Sequence, residues 1–145
     1  MQFQTVNRTD TEKGFGVCKN VSGGVISGNY PVCLATTSGS NDGHQVVLPA
    51  TGAIQTFIGF MDEDAADVQD GCRYQAYGYR DSVRIFATGT SGTNAVGIAL
   101  GPGAGSAGIN STGVKETFGP VIAMEAIGAA VNSPGGYAKA FIRLM

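Results

Sequence analysis

The sequence predicts an all-β protein: one domain, folded as a small β-barrel or jelly-roll-like sandwich, with an extended N-terminal arm in front of it. Three observations carry that expectation. Glycine accounts for 23 of the 145 residues and charged residues for only 14%, against averages of about 7% and about 25% in globular chains. Short runs rich in β-branched and aromatic residues recur along the chain, each bounded by turn-forming clusters. No fifteen-residue window after Gly14 is free of both glycine and proline, which leaves little room for helix because both residues destabilise helix interiors.

Taken in order, residues 1–14 are polar and show neither the 3.6-residue period of a helix nor the alternation of a strand, so they read as the arm. Residues 15–145 form the domain. Strand-like runs occur at Phe15 to Cys18, Pro31 to Thr37, Gln45 to Leu48, Ile54 to Met61, Cys72 to Tyr79, Val83 to Thr88, Ala95 to Leu100, Pro120 to Met124 and Tyr137 to Leu144. Between them lie turn signals at residues 38–43, 89–94 and 101–108. Many short strands at close spacing point to a sandwich or barrel. Only two helical turns are expected, Asp62 to Val68, whose leading acids suit a helix N-terminus, and Glu125 to Val131.

Those two turns belong to a faint internal repeat. Phe60-Met61-Asp62 opens one copy and Ala123-Met124-Glu125 the other; each runs through alanine-rich residues to Gly71 or Gly135 and enters a strand containing Ala76-Tyr77 or Ala140-Phe141. A strand, an acidic turn, a glycine and a second strand are therefore expected twice.

A chain of this length buries roughly 70% of the surface its unfolded form exposes, enough for one core. The formal net charge of -2 offers no clustered basic footprint for phosphates, so nucleic acid is not expected as a partner. The N-terminus lacks the basic-then-apolar layout of a signal peptide, and no apolar run approaches the ~18 residues of a membrane span. No membrane partner is expected. Cys18, Cys33 and Cys72 lie in apolar or strand-like runs without C-x-x-C spacing and are expected as buried, reduced thiols.

Residues that could carry chemistry do not assemble into a motif. His44, the single histidine, comes just after the Asn41-Asp42-Gly43 turn; a hydrolytic triad would need it between a nucleophile and an orienting carboxylate, yet no Gly-x-Ser-x-Gly elbow is present. Gly103-Ala104-Gly105-Ser106-Ala107-Gly108 matches G-x-G-x-x-G in form, but Asn110, Gly113 and Pro120 interrupt the helix that a dinucleotide site requires. The acidic stretch Asp62 to Asp70 departs from an EF-hand because Asp67 stands where glycine is needed. Neither zinc spacing nor a glycosidase pair can be assigned. No catalytic residue, cofactor or metal ligand is expected. In Arg73-Tyr74-Gln75-Ala76-Tyr77-Gly78-Tyr79-Arg80, strand alternation places Arg73, Gln75, Tyr77 and Tyr79 on one face, which suits a polar surface or a subunit interface.

The segment Ile58-Gly59-Phe60-Met61-Asp62-Glu63-Asp64-Ala65-Ala66, with Gly71 after it, and the C-terminal Gly119-Pro120-Val121-Ile122-Ala123-Met124-Glu125-Ala126-Ile127, leading to Ala138-Lys139-Ala140-Phe141-Ile142-Arg143, resemble the small capsid cement or decoration proteins of tailed bacteriophages. Those proteins often carry a strand corner of the type G-x-A/M-x-E/D-A-A…G and finish on a K-x-F-I-R strand. The likeness covers about the C-terminal two thirds of the chain. It implies a barrel or jelly-roll-like body that binds the exterior of the phage head, bridges subunits of the major capsid protein and forms a homotrimer. It further implies assembly in the host cytoplasm and no enzymatic role. Repeated small contacts would fasten such a shell by avidity, and an arm could add to a neighbour's sheet edge, with Phe3, Val6 and Arg8 as the expected capsid contacts. A head fibre, spike or tail subunit is the alternative, and a small hydrolase built on His44 or the acidic turn is a third.

Overall fold

The computed structural model describes residues 12–36, 43–49, 56–85, 97, 99–102, 109–110, 120–125 and 136–143. Among them are nine strands: β1 (Gly14–Asn20), β2 (Pro31–Leu34), β3 (Gln45–Val47), β4 (Phe57–Met61), β5 (Cys72–Ile85), β6 (Ala99–Pro102), β7 (Ile109–Asn110), β8 (Val121–Ala123) and β9 (Gly136–Arg143). No helix among the described residues is long and apolar enough to cross a membrane.

The strands form one mixed sheet in the order β1-β3-β2-β4-β5-β7-β6-β8-β9, and the additional pairings of β1 with β5 and β5 with β9 close this order into two rings. The 14-residue strand β5 is the last strand of the first ring and the first strand of the second. Both rings obey one scheme. The first strand runs parallel to the third (β1 with β3, β5 with β7), and the third is antiparallel to the second. The second is antiparallel to the fourth, the fourth to the fifth, and the fifth returns to the first. Strands β3 and β7, β4 and β8, and β5 and β9 begin at a constant separation along the chain: Gln45 and Ile109, Phe57 and Val121, Cys72 and Gly136. The repeat legible around residues 60 and 123 is thus part of a repetition that extends through all five strands.

Packing explains why the rings hold together. One side of β2 and β4 faces the interior of the first ring, where Val32 and Met61 join Cys18, Ile26, Val46, Ala65 and Cys72. The other side faces the second ring, where Cys33, Phe57 and Phe60 join Val83, Ile85, Leu100, Val121 and Ile142. Burial on both faces is why β2 and β4 read as continuous apolar runs and not as alternating strands. Full burial of Phe60 alone contributes about 2–3 kcal/mol. The three cysteines are buried thiols outside any disulfide, as their apolar surroundings predict.

Strand β5 changes partners through two irregularities. Its ladder with β1 pairs Phe15 with Gln75 but Gly14 with Tyr77, so Ala76 is the extra residue of a bulge. Its ladder with β9 shifts between Arg80 and Val83. Two expectations are corrected along this strand. The runs at 72–79 and 83–88 are one strand up to Ile85, with polar Arg80-Asp81-Ser82 at the irregularity. Strict alternation also fails: Gln75 is buried, while Arg73 and Tyr77 are exposed.

The helical turn expected over Asp62 to Val68 is absent; bends, a bridge from Ala65 to Ile26 and a turn occupy that stretch. The reason is competition for the backbone, because Ala65 exchanges two hydrogen bonds with Ile26, N to O at 2.9 and 2.8 Å. The second expected turn, Glu125 to Val131, lies outside the described residues beyond Glu125. So do residues 1–11 of the arm, including Phe3, Val6 and Arg8. The glycine-rich 103–108 stretch connects β6 to β7, an antiparallel pair, so its last glycine leads into a strand and not into the helix of a dinucleotide site.

Candidate functional site

Two polar constructions and one exposed face stand out from this scaffold. The first is a seam where loop residues 28–30 and the end of β4 meet the second half of β5. Arg80, 8% exposed, donates from Nε to Asn29 Oδ1 at 2.9 Å and to the Ser82 carbonyl at 3.2 Å. Its Nη1 donates to Asp62 Oδ1 and Gln75 Oε1, both at 3.1 Å. Its Nη2 donates to Asn29 Oδ1 at 2.7 Å and to the Met61 carbonyl at 2.8 Å. Every nitrogen of the guanidinium is thereby engaged, as a buried cation requires. Asn29 can serve because its φ of 68° lies in the left-handed region that asparagine tolerates better than most residues.

Asp62 completes the seam by accepting from Arg73 as well. Partial burial raises its pKa, but the hydrogen bonds and positive charges of Arg73 and Arg80 outweigh that and hold it below the ordinary carboxylate value. Arg80 is pulled down by burial and partly restored by Asp62.

The second construction is a cap over the first ring. Asn20 Nδ2 lies within hydrogen-bond distance of the carbonyls of Gly24, Ala65 and Ala66, at 2.8, 2.9 and 3.0 Å. Asp64 Oδ1 accepts from Gly28 N at 2.7 Å and Asp67 Oδ1 from Gly23 N at 3.0 Å. The acidic stretch thus laces its own turn to the 21–28 loop through Asp64 and Asp67, whose carboxylates serve the backbone. Among the described residues no group of three or more His, Cys, Asp or Glu is placed to hold a metal ion. His44 Nε2 meets Asp70 Oδ1 at 2.8 Å, which ties the start of β3 to the end of the acidic turn at the surface. His44 and Gly71 N, as hydrogen-bond partners of Asp70, hold its carboxyl below the usual range.

The exposed face lies on the outer side of the β5–β9 ladder. Tyr77 pairs with Arg143 and Tyr79 with Phe141, and the Tyr77 and Phe141 rings meet edge to face at 5.5 Å. Inward residues Ala138, Ala140 and Ile142 are buried, so their alternates Tyr137, Lys139, Phe141 and Arg143 point out. Tyr137 is 56% and Tyr77 41% exposed. Tyr79 bonds Asp81; partial desolvation, then that carboxylate, raise the phenol's pKa. Glu125 Oε1 accepts from Lys139 N at 2.8 Å.

Of the face expected from alternation, Tyr77 and Tyr79 belong here. Arg73 does not: it lies over the Phe15 ring at 5.0 Å on the outside of the first ring, beside exposed Val17, with which it pairs. Gln75 turns into the seam. Sequence reasoning missed Tyr137, Lys139 and Arg143 as members of this face, although the alternation in Gly136–Arg143 would have exposed them had β5 and β9 been recognised as neighbours. No family model matches the chain, and no curated protein matches it.

Proposed function

We propose that this chain is a structural protein of a tailed-phage virion, a cement or decoration subunit that binds the outer surface of the head and bridges major capsid protein subunits. The observation that carries the reading is the outer β5–β9 face, where Tyr77, Tyr79, Tyr137 and Phe141 stand among Lys139 and Arg143. Tyrosine and arginine are enriched where protein surfaces meet, and rigid aromatic side chains lose little conformational entropy on docking. The motif resemblance supplies the partner, and homotrimeric assembly comes from the same source. In this reading the two rings are small barrel-like bodies sharing a wall. The arm, with Phe3, Val6 and Arg8, adds a second contact to the capsid.

The test is binding of the purified chain to expanded and unexpanded heads assembled from the major capsid protein of the same phage, read by native mass spectrometry. Binding that a Tyr77→Ser/Tyr137→Ser double variant loses, while remaining folded, supports the reading. A chain that stays monomeric and binds neither form of the head overturns it.

A further inference from the structure

We propose that Cys18 and Cys72 are a latent cross-strand disulfide that locks the first ring once the protein leaves a reducing environment. The two residues are direct partners in the antiparallel β1–β5 ladder. Directly opposed residues of such a ladder have Cα atoms about 4.5–5.5 Å apart with side chains on the same face, inside the span that a disulfide bridges without backbone movement. Both side chains project into the same core cluster, and Cys18 Sγ lies 3.5 Å from the Cys72 carbonyl oxygen. Cys72 Sγ in turn approaches the Gln69 carbonyl at 3.3 Å, so neither thiol is held by a side chain that would have to be displaced. Cys33 belongs to the other cluster, across β2, and has no place in the pair.

The pair is slow to react. Burial first, and Cys72 and Asp70 after it, raise the Cys18 pKa to about 11, which leaves little thiolate at neutral pH. Oxidation therefore requires fraying at the Cys18 end of β1. A small organic disulfide then suffices as oxidant. One cysteine thiolate attacks a sulfur of the reagent and expels a thiolate; the second attacks the mixed disulfide and expels the other. Two S–H bonds and the reagent's S–S bond are lost, one protein S–S bond forms, and two reagent thiols carry away the electrons and protons. On a particle released from a cytosol into oxidising surroundings, the pair would stay open during assembly and close afterwards. That timing rests on the virion reading, whereas the pairing chemistry is a property of the isolated chain and is tested without any capsid.

The experiment treats the purified native chain with hydroxyethyl disulfide, alkylates remaining thiols in denaturant and maps peptides without reduction. The expected result is one Cys18–Cys72 linkage, with Cys33 recovered alkylated, and a melting temperature raised by roughly 10 °C for a loop of this length. A Cys33→Ser variant should behave identically, and dithiothreitol should reverse the shift. Three outcomes overturn the proposal: all three thiols recovered alkylated after prolonged treatment, linkage through Cys33, or a stable mixed disulfide at Cys18 or Cys72 that never resolves internally. The peptide map reads the wild-type chain, so a poorly folding Cys18→Ser variant leaves the result intact.

Discussion

Arg80 and Asp62 meet at 3.1 Å at the point where the two rings join, and the same guanidinium also holds Asn29, Gln75 and the Met61 carbonyl. Truncation to Arg80→Ala takes this donor from the side-chain oxygens of Asn29 and Gln75 in a buried seam, while Asp62 keeps Arg73 and the Met61 carbonyl keeps Asn29 N. A loss of about 3–5 kcal/mol is expected, read as a lower urea midpoint with little change in slope. Arg80→Lys restores the charge but not the planar fork, so an intermediate loss is expected.

Acid sensitivity should trace in part to Asp62. Burial pushes its pKa up, but the combined hydrogen bonds and charges of Arg73 and Arg80 win and set the folded value below the unfolded one. The folded state therefore binds its proton less readily than the unfolded chain. The associated stabilisation is fully present above about pH 4, the unfolded range, and is lost as pH falls through the folded pKa. Urea midpoints measured between pH 6 and pH 2 should fall more steeply for the native chain than for Asp62→Asn.

Gly59 adopts a φ of 146°, and a Cβ there would overlap the Gln75 carbonyl oxygen across the β4–β5 ladder. Gly59→Ala should cost about 2–4 kcal/mol, because both backbone conformation and ladder must yield. Gly71, with a φ of 75° but open space around it, is the control. Gly71→Ala should cost only about 1 kcal/mol, the left-handed penalty alone. Thermal melts of the two variants separate close approach from backbone strain.

Val68 is exposed and holds a φ of 53°, a conformation that β-branched residues resist. Val68→Asn should stabilise the chain by about 1 kcal/mol, seen as a raised melting temperature.

The β-class and most strand positions were legible in the sequence because glycine-bounded, β-branched runs announce themselves. Pro31, Gln45 and Cys72 begin strands where the composition places them. The ring pairing was not legible. Nothing in Arg80-Asp81-Ser82 reveals that a polar triplet sits at an irregularity within one strand and not at its end. Alternation counted from Arg73 assigns Gln75 to the surface, because nothing in the period reveals that the carbonyls of Tyr77 and Tyr79 and the Arg80 guanidinium cover it. The two-residue strand β7 is too short to leave any periodicity. The aromatic face obeyed the same limit: Tyr77 and Tyr79 were recognised from one strand, while Tyr137 and Arg143 needed knowledge of which strand lies beside it.

Because β5 serves as a wall for both rings, the two copies of the pairing scheme are not interchangeable modules. The first ring pairs with Cys72–Tyr77 and the second with Tyr77–Ile85, so a backbone cut near Tyr77 keeps both ladders but parts Arg80 in the second half from Asn29, Met61 and Asp62 in the first. Any dissection, transplantation or permutation of this polypeptide has to carry the Arg80 anchor across the division or give it up.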